Sequence, residues 1–196
     1  MALTVASIVE GHGEVVALPL LLRRIGEWRT PDVYVDVPTP IRVHRDRFLN
    51  REDEFRRHLL LAAGRCGTDG WVLILLDADD DCPATRGAEI LRRATDCLPG
   101  CRISVVLANR EYEAWFIAAA ESLHGQRGFV FNPNEMVDAE TPRNAKGWVG
   151  QHMGAAGYGE VLDQPAFSAT MDLQQAFNGS RSFRKLCSEW EKHVLV

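Results

Sequence analysis

Leu3–Val9 is a short, β-branched apolar run that stops abruptly at Glu10-Gly11-His12-Gly13-Glu14. Such a run, bounded by glycines, reads as a buried strand. From about Glu14 to Trp28 the apolar positions Val15, Val16, Leu18, Leu21, Leu22 and Ile25 can share one face of a helix, with Pro19 making its start irregular. Val33–Val37 reads as a second strand. Pro38 and Pro40 interrupt it, and Ile41–Val43 resumes an extended course. A helix is expected from about Asp53 to Arg65, its acidic opening suited to the positive end of the helix dipole. Trp71–Leu76 is almost wholly apolar, as a parallel strand covered on both faces must be. It runs into Asp77-Ala78-Asp79-Asp80-Asp81, and a helix should follow from about Pro83 to Asp96. Ile103–Ala108 repeats the pattern, ending at Asn109-Arg110-Glu111-Tyr112-Glu113 ahead of a helix to about Leu123.

Strand and helix therefore alternate four times, which predicts an α/β, Rossmann-like fold: a central, mainly parallel sheet of about four strands flanked by helices. Beyond Gly125 the pattern weakens. Turn-rich Asn132-Pro133-Asn134 and Thr141–Asn144 precede expected helices near Ala145–Gly154, Pro165–Phe177 and Ser180–His193. The chain thus divides into an α/β core over 1–125 and a helical C-terminal extension over 126–196. The extension should pack on the core with Phe183, Leu186 and Trp190 inward.

Composition adds limits. The 196 residues, 46% hydrophobic and 25% charged, describe an ordinary globular protein. No apolar run approaches the roughly 18 residues of a bilayer span, and the N-terminus lacks a signal-like segment, so neither a membrane nor a secreted protein is expected. Five cysteines form no CxxC pair, and their odd number favours reduced, cytoplasmic thiols over a disulfide framework. The net charge of -5 excludes little, because a local basic patch can still hold nucleic acid.

The chemistry lies in the acids. Three apolar strands end in Glu10 with Glu14, in Asp77 with Asp79, Asp80 and Asp81, and in Glu111 with Glu113. In an open parallel sheet the carboxyl ends of the strands share one edge, where ligands bind. One acid after a strand can simply cap the next helix. Three clusters at one edge call for a hard divalent cation, Mg²⁺ or Mn²⁺, which prefers oxygen ligands.

VEGHGE after the first strand and LLDADDD after a later one resemble the Toprim domain of topoisomerases, bacterial primases, recombination mediators and OLD-family (overcoming lysogenization defect) nucleases. Its signature is a Glu ending one strand and an Asp-x-Asp ending another, matched by Glu10 and by Asp77 with Asp79. Glu14 and the Glu111-x-Glu113 pair resemble the OLD-type arrangement, which binds two metal ions. LLDADDDCP, ANREYEAWF, AKGW, DQPAF with MDL, and SRSFRKL further resemble a bacterial Toprim-like family, domain of unknown function 4276. The resemblance implies that Asp77 and Asp79 hold one ion, completed by Glu111 or Glu113. Glu10 and Glu14 would hold a second, or Glu10 would act as general acid or base. Asp81 belongs to the wider candidate ligand set, and Lys146 to the catalytic set, as OLD-type nucleases use a lysine to stabilise charge near the metals. The implied activity is cleavage of DNA or RNA phosphodiesters with one or two Mg²⁺ or Mn²⁺ ions. A bacterial defence setting beside a separately encoded ATPase is also implied, with self-association left open. The alternative is a non-catalytic Toprim scaffold that binds an ATPase or nucleic acid. No topoisomerase tyrosine domain and no ATPase motif accompany these residues.

Arg42, His44, Arg45, Arg47, Arg51, Arg56, Arg57 and His58 crowd one stretch. They are either a phosphate-binding patch or a solvated face paired with Glu52, Asp53 and Glu54. Arg42, Arg45 and Arg47, with Arg110 and Arg181, are the nucleic-acid-binding candidates. His12, between two glycines, either approaches a metal or phosphate or stays an exposed turn residue. Tyr112, Trp115 and Phe116 are expected to pack rather than to stack on bases.

Overall fold

The computed structural model describes residues 3–195. Five strands form one all-parallel sheet: β1 (Leu3–Val9), β2 (Val35–Asp36), β3 (Ile41–Arg42), β4 (Trp71–Asp77) and β5 (Arg102–Ala108). The order is β2-β1-β4-β5, and β3 also pairs β1. The extra strand arises because Pro38 and Pro40 break one extended segment into two short pieces, which lie along the same edge of β1 at Leu3–Thr4 and at Ile8–Val9.

Alternation along the central strands splits the core in two. Val5, Val9, Trp71, Leu73, Leu75 and Val106 face one side, whereas Ala6, Ile8, Val72, Ile74, Leu76 and Val105 face the other. That is why β4 is apolar throughout: each full burial of a large side chain contributes roughly 1.5–3 kcal/mol, on both faces. The second face is covered by α2 (Arg45–Asn50), α3 (Glu52–Cys66) and α4 (Pro83–Cys97), through Phe48, Phe55, Leu59 and Ile90. The first is covered by α1 (Glu14–Arg29) together with the helices after β5. Pro19 lies within α1, which forgoes one backbone donor and continues.

After β5 come α5 (Ala114–Ala118), a 3₁₀ turn at Ala120–Leu123, α6 (Ala145–Gln151), α7 (Glu160–Thr170), α8 (Leu173–Gly179) and α9 (Arg181–Val194). The single helix expected over Pro165–Phe177 is two, because Asp172 accepts from the Gln175 N–H at 2.8 Å and caps α8 afresh. Ser180 caps α9 in the same way. Phe183, Leu186 and Trp190 all face inward, as do Tyr112, Trp115 and Phe116. Residues after Gly125 therefore belong to the same apolar cluster as α1 and the sheet.

Candidate active site at the carboxyl edge of the sheet

Glu10 follows β1, Asp77 ends β4, and Glu111 and Glu113 follow β5, so topology alone gathers the acids at one edge. The loops after β4 and β5 are tied together. Ala78 N–H donates to the Ala108 carbonyl, Asp79 N–H to the Arg110 carbonyl, and Arg110 Nη1 to the Asp79 carbonyl. Asp79 and Arg110 both have left-handed backbones, with φ of 50° and 68°. Such strain persists only where surrounding bonds enforce it, and it recurs at functional sites.

A cavity of about 360 Å³ opens at this edge. Glu10, Glu14, Asp77, Asp79, Glu113 and Lys146 line it among the predicted residues, with Arg42 and Arg45 at its side. Glu14 and Glu113 are 3% and 1% exposed. Backbone donors hold the cluster: Glu14 accepts from the N–H groups of Glu10 and Gly11, Glu10 from that of Asp77, and Asp77 from that of Tyr112. Glu113 accepts from the Tyr158 hydroxyl at 2.8 Å and from Gln164 Nε2 at 3.3 Å.

Burial pushes Glu14 up to about 8, opposed by its backbone donors and reinforced by the charges of Glu10 and Glu113. Burial, then Glu14, Glu10 and Glu113, holds Asp77 well above the ordinary carboxylate range. Glu10 is raised by burial against the opposing charge of Arg45, and Glu113 by burial against Lys146 and Tyr158. Lys146 moves upward: burial would lower it, but its bond to Glu160 and the charges of Glu113, Glu160 and Glu111 prevail. Four carboxyl groups thus share a poorly solvated pocket in which full ionisation is unfavourable.

Other predicted residues lie elsewhere. Arg45 bridges Asp79 at 3.2 Å and Asp81 at 3.0 Å, and Asp81 does not line the cavity. Glu111 accepts from the Lys146 N–H at 2.8 Å, which places α6 rather than facing the cavity. Arg110 pairs with Asp80, Arg181 pairs with Glu140, and Arg47 and His12 are exposed outside the lining. The residues unforeseen are Asp46, on α2, and Glu160 and Gln164, on α7, with Tyr158 just ahead of α7. One signal was present: the DQPAF segment quoted above contains Gln164, and in α7 it is buried together with Asp163, Pro165 and Phe167.

Among the described residues, no three His, Cys, Asp or Glu side chains already stand as a metal-holding group. The donor set nevertheless suits a hard cation, since the pocket supplies mostly carboxylate oxygens with excess negative charge, no thiolate and a single imidazole, that of His44. Gln164 Oε1 is also buried there without a hydrogen-bond partner. Among the described residues, no helix is long and apolar enough to cross a membrane, and all five cysteines are free. Comparison with known families matches residues 9–191 to the family described as Domain of unknown function (DUF4276). No curated protein and no solved structure matches the chain.

Proposed function

The chain belongs to the DUF4276 family, and from that premise and its acidic cavity we propose a Mg²⁺- or Mn²⁺-dependent nuclease of Toprim type that cleaves DNA or RNA phosphodiesters. The observation that carries the proposal is the convergence of Glu10, Glu14, Asp77 and Glu113 in one cavity beside Arg42, Arg45 and Lys146. Acids without nearby cations would repel a phosphodiester, and cations without the acids would bind it inertly. The Glu10 and Asp77-x-Asp79 pattern supports the Toprim assignment, and the Rossmann-like parallel sheet is compatible with it.

Glu10, Glu14, Asp77, Asp79 and Glu113 would hold the cation, which supplies Lewis-acid stabilisation of charge on the phosphodiester oxygens. The remaining roles belong to the chain itself. Arg45, now paired with Asp79 and Asp81, is placed to exchange those partners for a phosphate. Lys146 keeps its proton, through Glu160 and Glu113, and so offers fixed positive charge at the cavity wall. Glu10 keeps a raised pKa that suits a group required both to take and to give a proton. A bacterial defence role beside a separately encoded ATPase completes the reading, as the Toprim resemblance implies.

A non-catalytic Toprim scaffold is the competing reading, favoured by the structural hydrogen bonds that already engage Glu10, Glu14 and Asp77. The test incubates purified protein with plasmid, single-stranded DNA and RNA, in Mn²⁺ or in chelator, beside Asp77→Asn. Cleavage that needs metal and disappears in the variant is expected. Complete inactivity, also with any ATPase encoded beside this gene added, would favour the scaffold instead.

A further inference from the structure

Gln164 belongs to no acidic signature, yet it is 3% exposed and lines the cavity with Glu10, Glu14, Asp77 and Glu113. Its Nε2 donates to Glu113 Oε1 at 3.3 Å. This orientation gives the carboxylate a donor, whereas the flipped amide would set two acceptors against each other. Its Oε1 then remains buried with no hydrogen-bond partner. Buried acceptors are almost always satisfied, so an orphan in a polar cavity points to a ligand. Room is kept for this oxygen by Gly13, where an added Cβ would stand 2.2 Å away from it.

Charge argues in the same direction. The carboxylates of Glu10, Glu14, Asp77 and Glu113 alone, fully ionised, would exceed the charge of one divalent ion, and each further acid would deepen the repulsion. Hard cations also accept amide carbonyl oxygens, which fill a coordination position without adding charge. We propose that Gln164 Oε1 is a direct, neutral ligand of the divalent cation, supplied by α7 to the acids of the sheet edge. This rests on the metal-dependent reading above and extends it to a residue outside the acidic Toprim signature of Glu10 and Asp77-x-Asp79.

The test measures Mn²⁺ binding to the full chain by titration calorimetry, for wild type, Gln164→Met and Gln164→Glu. Methionine keeps the length and removes the oxygen, and should weaken binding at least tenfold. Glutamate restores an oxygen and should bind at least as well as wild type. A Gln164→Met affinity within twofold of wild type, where wild type binds, overturns the role of Gln164 alone. Wild type that binds no Mn²⁺ overturns the metal reading itself. Should the methionine variant not fold, a Mn²⁺-soaked wild-type crystal decides through the anomalous signal. An ion within about 2.3 Å of Oε1 supports the proposal, and an ion bound elsewhere in the cavity refutes it.

Discussion

Gly13, the N-cap of α1, and Gly64, inside α3, show how differently one methyl group acts at two positions of helical backbone. Gly13 has an ordinary helical backbone, with φ of −65°, so conformation does not require glycine there. Space does. A Cβ would lie 2.2 Å from Gln164 Oε1 and 2.5 Å from the Glu160 carbonyl oxygen, and that backbone cannot yield cheaply. Gly13→Ala should destabilise the protein by about 1–3 kcal/mol, the usual cost of overpacking. Gly64 lies exposed inside α3 with nothing within 4 Å of its Cβ position. Gly64→Ala should stabilise by roughly 0.5–1 kcal/mol, through the lower entropy of the unfolded chain. Urea denaturation of both variants checks the pair, and equal stabilities would refute the packing account. In the sequence Gly11 and Gly13 simply flank His12 between a strand and a helix. The sequence did not show that Gly13 meets α7, because that neighbour lies far along the chain and local pattern carries no trace of it.

At the scale of the element, α9 is fastened by more than its apolar stripe. Glu189 accepts from the Ser104 hydroxyl and the Lys185 ammonium, and it lies 3.4 Å from His193 Nε2. Burial alone would raise the Glu189 carboxyl, but the bonds from His193, Lys185 and Ser104 hold it well below the usual range. A carboxyl depressed in the folded state stabilises the fold above its unfolded pKa and loses that contribution as pH falls. Wild-type stability should therefore decline below about pH 5. Glu189→Gln should be less stable near neutrality and show a flatter decline in acid, as measured by thermal melts across pH. An unchanged slope in the variant would remove Glu189 from the account. The inward side of α9 was legible from the spacing of Phe183, Leu186 and Trp190. Its ties to Ser104 were not, since a serine in an apolar strand announces no partner. Nor was the break before α8, which rests on a single aspartate cap.

For the whole molecule, cation binding and folding should be linked. In chelator the raised carboxyls bind protons more tightly when folded than when unfolded. Stability should then fall as pH rises from the ordinary carboxylate range to about 8, to which burial pushes Glu14. A cation at one hundred times its Kd should restore about 2.7 kcal/mol. In a chain of this size that is several degrees of melting temperature. Asp77→Asn removes a buried acid and keeps its shape, so it should melt higher than wild type in chelator and show no shift in Mn²⁺. A full wild-type shift in that variant would reject Asp77 as a ligand. The layered architecture was legible because β1, β4 and β5 are buried on both faces and acids stand at or just after the end of each. The acidic half of the cavity followed from the same strands. The opposite wall did not, because Glu160 and Gln164 reach it through the docking of α7 on α1, a long-range event set by packing.

That division of the cavity between two distant stretches has a consequence in time. The ribosome completes Glu10 and Asp77 well before α6 and α7 leave it. An unfinished chain therefore carries the acids without Lys146, Glu160 or Gln164, and its cavity has one wall. Any chemistry that needs both walls begins only after α7 has been made and docked, so a nascent chain that stops short of Glu160 lacks it.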